Sequence, residues 1–256
     1  MTITSHHNQK LKEIRKLRQR RRWRERSGRF VAEGEDLLAA ADAAGWPALE
    51  RYCAAGSGLP GTEVEADVLS SASGLGSGTR TLAVYDERWA ERPIGPLCVY
   101  LHGLGDPGNV GAILRSAQAF GVASVALGPG TADPFSLKAV RASMGAVFSL
   151  PLVRSADVSE LPGARVALVP GQGVPLGELC SSLCRYDAKN RKGGDVSLLI
   201  GAEREGLPEQ IVKQADHVAQ IPIETNSLNA AMAATVALYE LTRMAREMTG
   251  IEGSQG

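Results

Sequence analysis

The strongest constraint on the fold is a strand–turn–helix unit in the middle of the chain. The apolar run Leu97–His102 leads into a glycine-rich turn, Gly103–Gly108. Apolar residues at helical spacing then run from Asn109 to Phe120, and Gly121 supplies a stop. A strand that passes straight into a helix returns to its sheet most readily as a parallel neighbour. The pattern recurs downstream. Strands are expected at Ser124–Leu127, Arg165–Pro170, Val196–Gly201 and Ala219–Ile223, with an extended stretch at Ala146–Val153. Helices are expected at Ser136–Met144, Pro208–Ala215 and Leu228–Met248. The alternation predicts an α/β fold with a largely parallel sheet covered on both faces.

The first third reads as a separate, smaller α/β domain. Leu11, Ile14 and Leu17 recur at helical spacing, followed by an extended Phe30–Ala32 and a helix over Asp36–Ala44. Short strands at Ala48–Ala54, Thr62–Ala66 and Arg80–Tyr85, with a short helix at Asp67–Ser71, complete it. The segment Asp86–Pro96 reads as a linker, placing one domain at 1–88 and a second at 95–256.

Charge is divided unevenly although the net charge is zero. Lys10–Arg29 holds eleven Lys/Arg against Glu13 and Glu25, leaving 17 bases against 26 acids elsewhere. A dense basic segment on an otherwise acidic chain points to a polyanionic partner; the plain alternative is a solvated helix face. No stretch reaches the roughly 18 apolar residues of a membrane span, and the basic N-terminus lacks the apolar core of a secretory signal, so a cytoplasmic location is expected. Cys53, Cys98, Cys180 and Cys184 are then expected to be reduced. Only the last two are close, no finger-like spacing accompanies them, and His6, His7, His102 and His217 show no ligand spacing, so no metal is expected.

Gly103-Leu104-Gly105-Asp106-Pro107-Gly108 matches the dinucleotide-binding fingerprint in wording and context. Two features oppose a nicotinamide dehydrogenase. Pro107 removes a backbone N–H from the turn, and no acid closes the next strand to hold a ribose.

Three segments carry a resemblance. Asp106-Pro107-Gly108-Asn109-Val110-Gly111-Ala112-Ile113-Leu114-Arg115-Ser116-Ala117 resembles the first motif of the SpoU (TrmH) RNA ribose methyltransferases. Leu199-Ile200-Gly201-Ala202-Glu203-Arg204-Glu205-Gly206-Leu207 resembles the second. Ile221-Pro222-Ile223, with Ser227-Leu228-Asn229-Ala230-Ala231, resembles the third. Gly28–Gly34 is more weakly similar to the start of the family's ribosomal-protein-like substrate domain. The resemblance implies a SPOUT fold with a trefoil knot, S-adenosylmethionine as cofactor, a homodimer whose site draws on both subunits, and methyl transfer to a ribose 2′-hydroxyl. It leans to 23S rRNA, of the thiostrepton-resistance-like branch, over tRNA; a non-catalytic RNA-binding relative is the other alternative.

By the same resemblance, Arg115 and Asn109 are catalytic, Glu203 anchors the site through Arg115 or nearby backbone, and Ser227 and Asn229 line the pocket. Arg115 acts either as base or as a holder of phosphate. Guanidinium stays protonated above about pH 12, which favours the second role. Ser227 would also serve as a helix cap. Gly201, Ile221 and Leu228 are the matching cofactor positions, with Gly201 admitting close backbone approach. Arg15, Arg18, Arg20, Arg21, Arg22 and Arg29 become candidates for RNA phosphate, and Trp23 for base stacking.

Overall fold

A computed structural model describes residues 2–74, 78–183, 194–225 and 228–249. In chain order it contains α1 (Gln9–Gln19), α2 (Arg21–Ser27), β1 (Arg29–Glu33), α3 (Glu35–Ala43), β2 (Glu50–Ala54), β3 (Thr62–Val64), α4 (Ala66–Ala72) and β4 (Thr81–Asp86). These are followed by β5 (Leu97–Leu101), α5 (Pro107–Ala119), β6 (Ser124–Leu127), α6 (Leu137–Ser143), β7 (Leu152–Arg154), β8 (Ala164–Leu168) and β9 (Val174–Pro175). The last elements are α7 (Leu176–Leu183), β10 (Val196–Ile200), α8 (Glu209–Gln214), β11 (His217–Gln220) and α9 (Ala230–Thr249). The described residues divide into two compact units, Met1–Arg88 with Asp133–Ser149, and Trp89–Ala132 with Leu150–Gly256. The expected second domain, 95–256, therefore loses Asp133–Ser149 to the first unit.

The first unit is built on a four-stranded sheet in the order β1-β4-β2-β3, antiparallel except for β2–β3. Side chains alternate across a strand, so Phe30 and Val31 serve opposite faces. On one face, Leu11, Ile14 and Leu17 of α1 pack with Val31, Tyr52, Val68, Leu69, Leu82 and Val84. On the other, Phe30, Trp46, Tyr85, Phe135 and Phe148 form a cluster of rings with centroids 4.7–6.5 Å apart. Two of those rings come from the segment Asp133–Ser149, so the first unit cannot complete this face from its own N-terminal sequence. Burying a ring of this kind contributes roughly 1.5–3 kcal/mol.

The second unit holds a seven-stranded sheet, β7-β6-β5-β10-β8-β11-β9, in which every pairing is parallel. Strands β5, β6 and β10 are almost wholly buried, as a doubly covered parallel sheet requires. Helices α5 and α7 both pack on α9, and a 2.7 Å hydroxyl contact between Ser116 and Thr235 joins α5 to α9.

Three local expectations need correction. Ala146–Val153 is not extended throughout: Ala146–Phe148 forms a 3-10 turn, and strand begins only at Leu152. The turn is imposed by α6 ending with Met144 at φ 48 and Gly145 at φ 95. A Cβ at Gly145 would lie 2.6 Å from Ala40 Cβ, so the chain turns where only glycine fits. Apolar periodicity alone cannot separate such a buried turn from a strand. Helix α2 also forms where only basic sequence was visible, and the last expected strand ends at Gln220, leaving Ile221 in the following loop.

Candidate active site

The chain moves outward from β5 to β6 and β7, then crosses to the other side of β5, where β10, β8, β11 and β9 lie in that spatial order. In parallel sheets, the crevice beyond the carboxyl ends of the strands at such a reversal is where ligands bind. Here the reversal lies between β5 and β10, and the loops leaving them are the Gly103–Asp106 turn and Gly201–Leu207.

The first loop consumes its own donors. Asp106 caps α5 by accepting from the Gly108 N–H at 2.6 Å, and Pro107 opens the helix without an N–H. A pyrophosphate would have to displace this cap, which argues against the dinucleotide reading of the same glycines. His102, at the end of β5, lies 3.1 Å from the Tyr100 hydroxyl through Nδ1. Burial lowers its pKa, which keeps the ring neutral at physiological pH.

Asn109, Glu203 and Asn229 form one hydrogen-bonded run. The Asn229 Oδ1 accepts from the Ala231 and Met232 N–H groups at 2.9 and 3.3 Å, capping α9. That use of the oxygen turns the Asn229 Nδ2 outward, where it donates to Asn109 Oδ1 at 3.1 Å. Asn109 Nδ2 is then free to donate to Glu203 Oε1 at 2.6 Å. Each amide is oriented by its neighbour, so the helix cap sets the polarity of the whole run. Glu203 therefore meets Asn109 rather than Arg115. Arg115 is exposed on α5 and has no hydrogen-bond or ion-pair partner among the described residues. Six residues separate it from Asn109, about 240° around a helix, so the two point apart. Ser227 lies outside the described residues.

Beside this run lies a cleft of about 740 Å³. Gly201, Ile221 and Leu228 all line it, together with Glu203. Gly201 has a further reason to be glycine: a Cβ there would sit 2.2 Å from the Gly206 carbonyl carbon. The loop doubles back through paired Ala202 and Gly206 hydrogen bonds of 3.1 and 3.0 Å, and only glycine leaves room. The sequence reading missed Leu168, Val169, Pro170 and Gln172, which also line the cleft. Their signal was available: they lie at the carboxyl end of a buried strand, where it passes into a loop carrying Gly171 and Gly173.

In the first unit the basic segment is divided between structure and solvent. Arg15 donates to His6 O at 2.9 Å and Ser71 Oγ at 3.0 Å, while Arg18 donates to Ala72 O at 3.0 Å and to Ser73 O. Arg21 pairs with Glu25 at 2.8 Å, and Arg29 lies 3.7 Å from both Glu13 and Asp86. Trp23 is half-buried against the core, with Lys16 at 4.5 Å and Arg26 at 5.0 Å over its ring. Arg20 and Arg22 are exposed, without partners among the described residues. Cys53 and Cys98 are buried free thiols; Cys184 lies outside the described residues. Among the described residues no group of three or more His, Cys, Asp or Glu could hold a metal ion, and no helix is long and apolar enough to cross a membrane.

Residues 96–239 match the SpoU rRNA Methylase family, and residues 8–82 match the MRM3-like substrate binding domain. The chain is 33% identical over 204 residues to an uncharacterised tRNA/rRNA methyltransferase of Mycobacterium bovis, covering 74% of this chain and 68% of that one. It is 36% identical over 144 residues to the 23S rRNA (uridine(2479)-2'-O)-methyltransferase of Streptomyces viridochromogenes, covering 54% and 49% respectively. Among solved structures, it resembles an AdoMet-bound rRNA methyltransferase from Sinorhizobium meliloti with a TM-score of 0.81 and 30% identity, over 95% of this chain and 97% of that one. The α/β fold, the parallel sheet, the small N-terminal substrate-binding domain and the family matches agree, and the chain belongs to the SpoU rRNA methylase family.

Proposed function

We propose that this chain transfers a methyl group from S-adenosylmethionine to a ribose 2′-hydroxyl of RNA, with 23S rRNA as the substrate. The observation that carries this reading is the run Asn229–Asn109–Glu203, which joins all three motif segments beside the cleft. The cleft suits a nucleoside-bearing donor. Its volume falls within the roughly 300–1,000 Å³ of small-molecule sites. Leu168, Val169, Ile221 and Leu228 offer apolar walls for a flat base, while Glu203, Glu205 and Glu209 supply negative charge for a cationic donor. When bound, the donor supplies an electrophilic methyl on its sulfonium.

The chain's own residues then do the positioning. Asn109, fixed at both ends of its amide, holds Glu203 in place without neutralising it. Arg115, exposed and without a partner among the described residues, takes an RNA phosphate and steadies the ribose. The guanidinium is already protonated and cannot take the 2′-hydroxyl proton, which leaves to phosphate or water as the oxygen–methyl bond forms and makes it acidic. The exposed Arg20, Arg21 and Arg22 of the first unit, with Arg29, supply phosphate contacts that carry no sequence information. Arg15 and Arg18 hold α4 and add to the field, and the Trp23 ring, packed on the core, already carries Lys16 and Arg26 over it.

Met232, Val236 and Tyr239 are exposed along one stripe of α9, the helix packed against α5. A second copy of the chain covers this stripe in our reading, making a homodimer beside Arg115. The knotted path of the family and a cytoplasmic location belong to the same reading. The test is transfer of labelled methyl from S-adenosylmethionine to unmodified 23S rRNA and to bulk tRNA, each digested afterwards to locate the methylated ribose. Label confined to rRNA is expected. Label confined to tRNA overturns the substrate, and donor binding without label in either overturns the enzymatic reading.

A further inference from the structure

Arg24 closes the run Arg20-Arg21-Arg22-Trp23-Arg24, yet it does not face solvent. Its side chain is 5% exposed and its Nε donates to Asp133 Oδ2 at 2.7 Å; the Asp133 side chain is 10% exposed. Arg24 Nη1 also donates to Leu17 O at 2.6 Å and Arg18 O at 3.3 Å, closing the carboxyl end of α1. One guanidinium thus joins α1, α2 and the segment that begins at Asp133.

Asp133 is equally committed. Its Oδ1 accepts from the Phe135 N–H at 2.8 Å, which sets the direction in which the segment enters the aromatic cluster. The residue before it, Ala132, belongs to the second unit, where its N–H donates to Leu104 O at 2.7 Å. Thr131 Oγ1 donates to Leu101 O at 2.8 Å, and Gly103 N donates to Pro129 O at 3.0 Å. The turn that presents Asn109 is therefore tied to the segment 129–132, and that segment continues by one peptide bond into Asp133.

We infer that Arg24 is a positioning residue that couples the basic helices α1 and α2 to the Gly103–Asn109 turn through Asp133, rather than a ligand for phosphate. The inference rests on the proposed RNA methyltransferase function only for its consequence in turnover; the coupling itself is a property of the chain. A buried pair with a directed hydrogen bond transmits position because loss of either partner leaves the other charge unsatisfied.

The experiment compares the full-length protein with Arg24→Met, Asp133→Asn, Arg24→Lys and the double variant Arg24→Met/Asp133→Leu. Amide hydrogen exchange is followed in peptides covering residues 102–110. In Arg24→Met and Asp133→Asn, exchange there accelerates about tenfold at temperatures where the global fold persists. Arg24→Lys restores most of the protection. The double variant, whose apolar pair keeps the fold, stays fast at the turn because packing without direction does not position Asp133's neighbours. Affinity for a 23S rRNA transcript is measured against salt in parallel. The slope is unchanged in Arg24→Met, and kcat falls while KM for RNA holds. Unchanged exchange at the turn overturns the inference, as does a double variant that recovers full protection. A salt slope reduced by about 0.9 would make Arg24 a phosphate contact. Accelerated exchange in a protein that methylates no RNA would sustain the coupling and sink the proposed function.

Discussion

In the first unit, Arg24 and Glu33 are sealed into the fold, each facing an opposite charge. In the second, Arg115 stands exposed without a partner among the described residues, and Glu203 is bonded by a neutral amide. The Glu33 side chain is fully buried and accepts from Gly74 N at 3.0 and 3.2 Å, Ser73 Oγ at 3.3 Å and Arg141 Nη2 at 2.7 Å. Both carboxylate oxygens are engaged, and the side chain has no exposed surface for a ligand to reach. The contrast teaches that burial with full satisfaction marks a charge that holds architecture. Exposure without a charged partner leaves a group free to meet solvent or a ligand.

The comparison breaks first at Glu33. Glu33→Gln turns an acceptor toward three donors into a donor itself, and should cost about 3 kcal/mol, the low end for a broken buried pair because Arg141 can reach water. Denaturant unfolding checks this; a midpoint unchanged from wild type would remove Glu33 from the architecture. Arg115→Ala tests the opposite pole. It should lower methyl transfer by about 10²–10³-fold, as for loss of one preorganised charge contact, with donor affinity and melting temperature nearly unchanged. A large fall in melting temperature would place Arg115 with Glu33.

The smallest effect sharpens the boundary between the two cases. Arg165 and Asp216 join β8 to the start of β11 through bonds of 2.8, 2.9 and 3.0 Å, yet the Asp216 side chain is 41% exposed. Hydrogen bonds from Arg165 pull its carboxyl pKa down to about 2. The pair therefore stabilises the fold fully above the ordinary carboxylate pKa and loses that contribution as pH falls from about 4 through about 2. Solvent screening limits it to about 0.5–1 kcal/mol, so Asp216→Asn should lower stability at pH 7 by that amount and hardly at all near pH 2. An equal loss at both pH values would show that shape, not charge, does the joining.

Much of this contrast was legible in the chain. The strand–turn–helix unit at Leu97–Phe120 and the strands at Ser124 and Val196 followed from apolar runs and glycine stops, because parallel strands buried on both faces need little else. Asn109, Glu203 and Asn229 stand in motif segments that the sequence shows. The hydrogen bonds that join them were not legible, since they depend on a helix cap that orients one amide and, through it, the next. Arg24 was hidden by its own neighbours: composition cannot distinguish one buried arginine from the exposed ones beside it. Phe135 and Phe148 were equally opaque, because their destination is a sheet built from Arg29–Asp86, far upstream in the chain.

What the sequence by itself determined is the local grammar: which stretches are strand or helix, where glycine must turn the chain, and which family's motifs stand in order. Only the tertiary structure decided that Asp133–Ser149 completes the first unit's core, that Glu203 meets Asn109, and that Arg24 faces inward. The physical reason is range. Local propensity acts over a turn or a pleat, whereas burial and hydrogen-bond satisfaction are settled between residues that only the folded chain brings together.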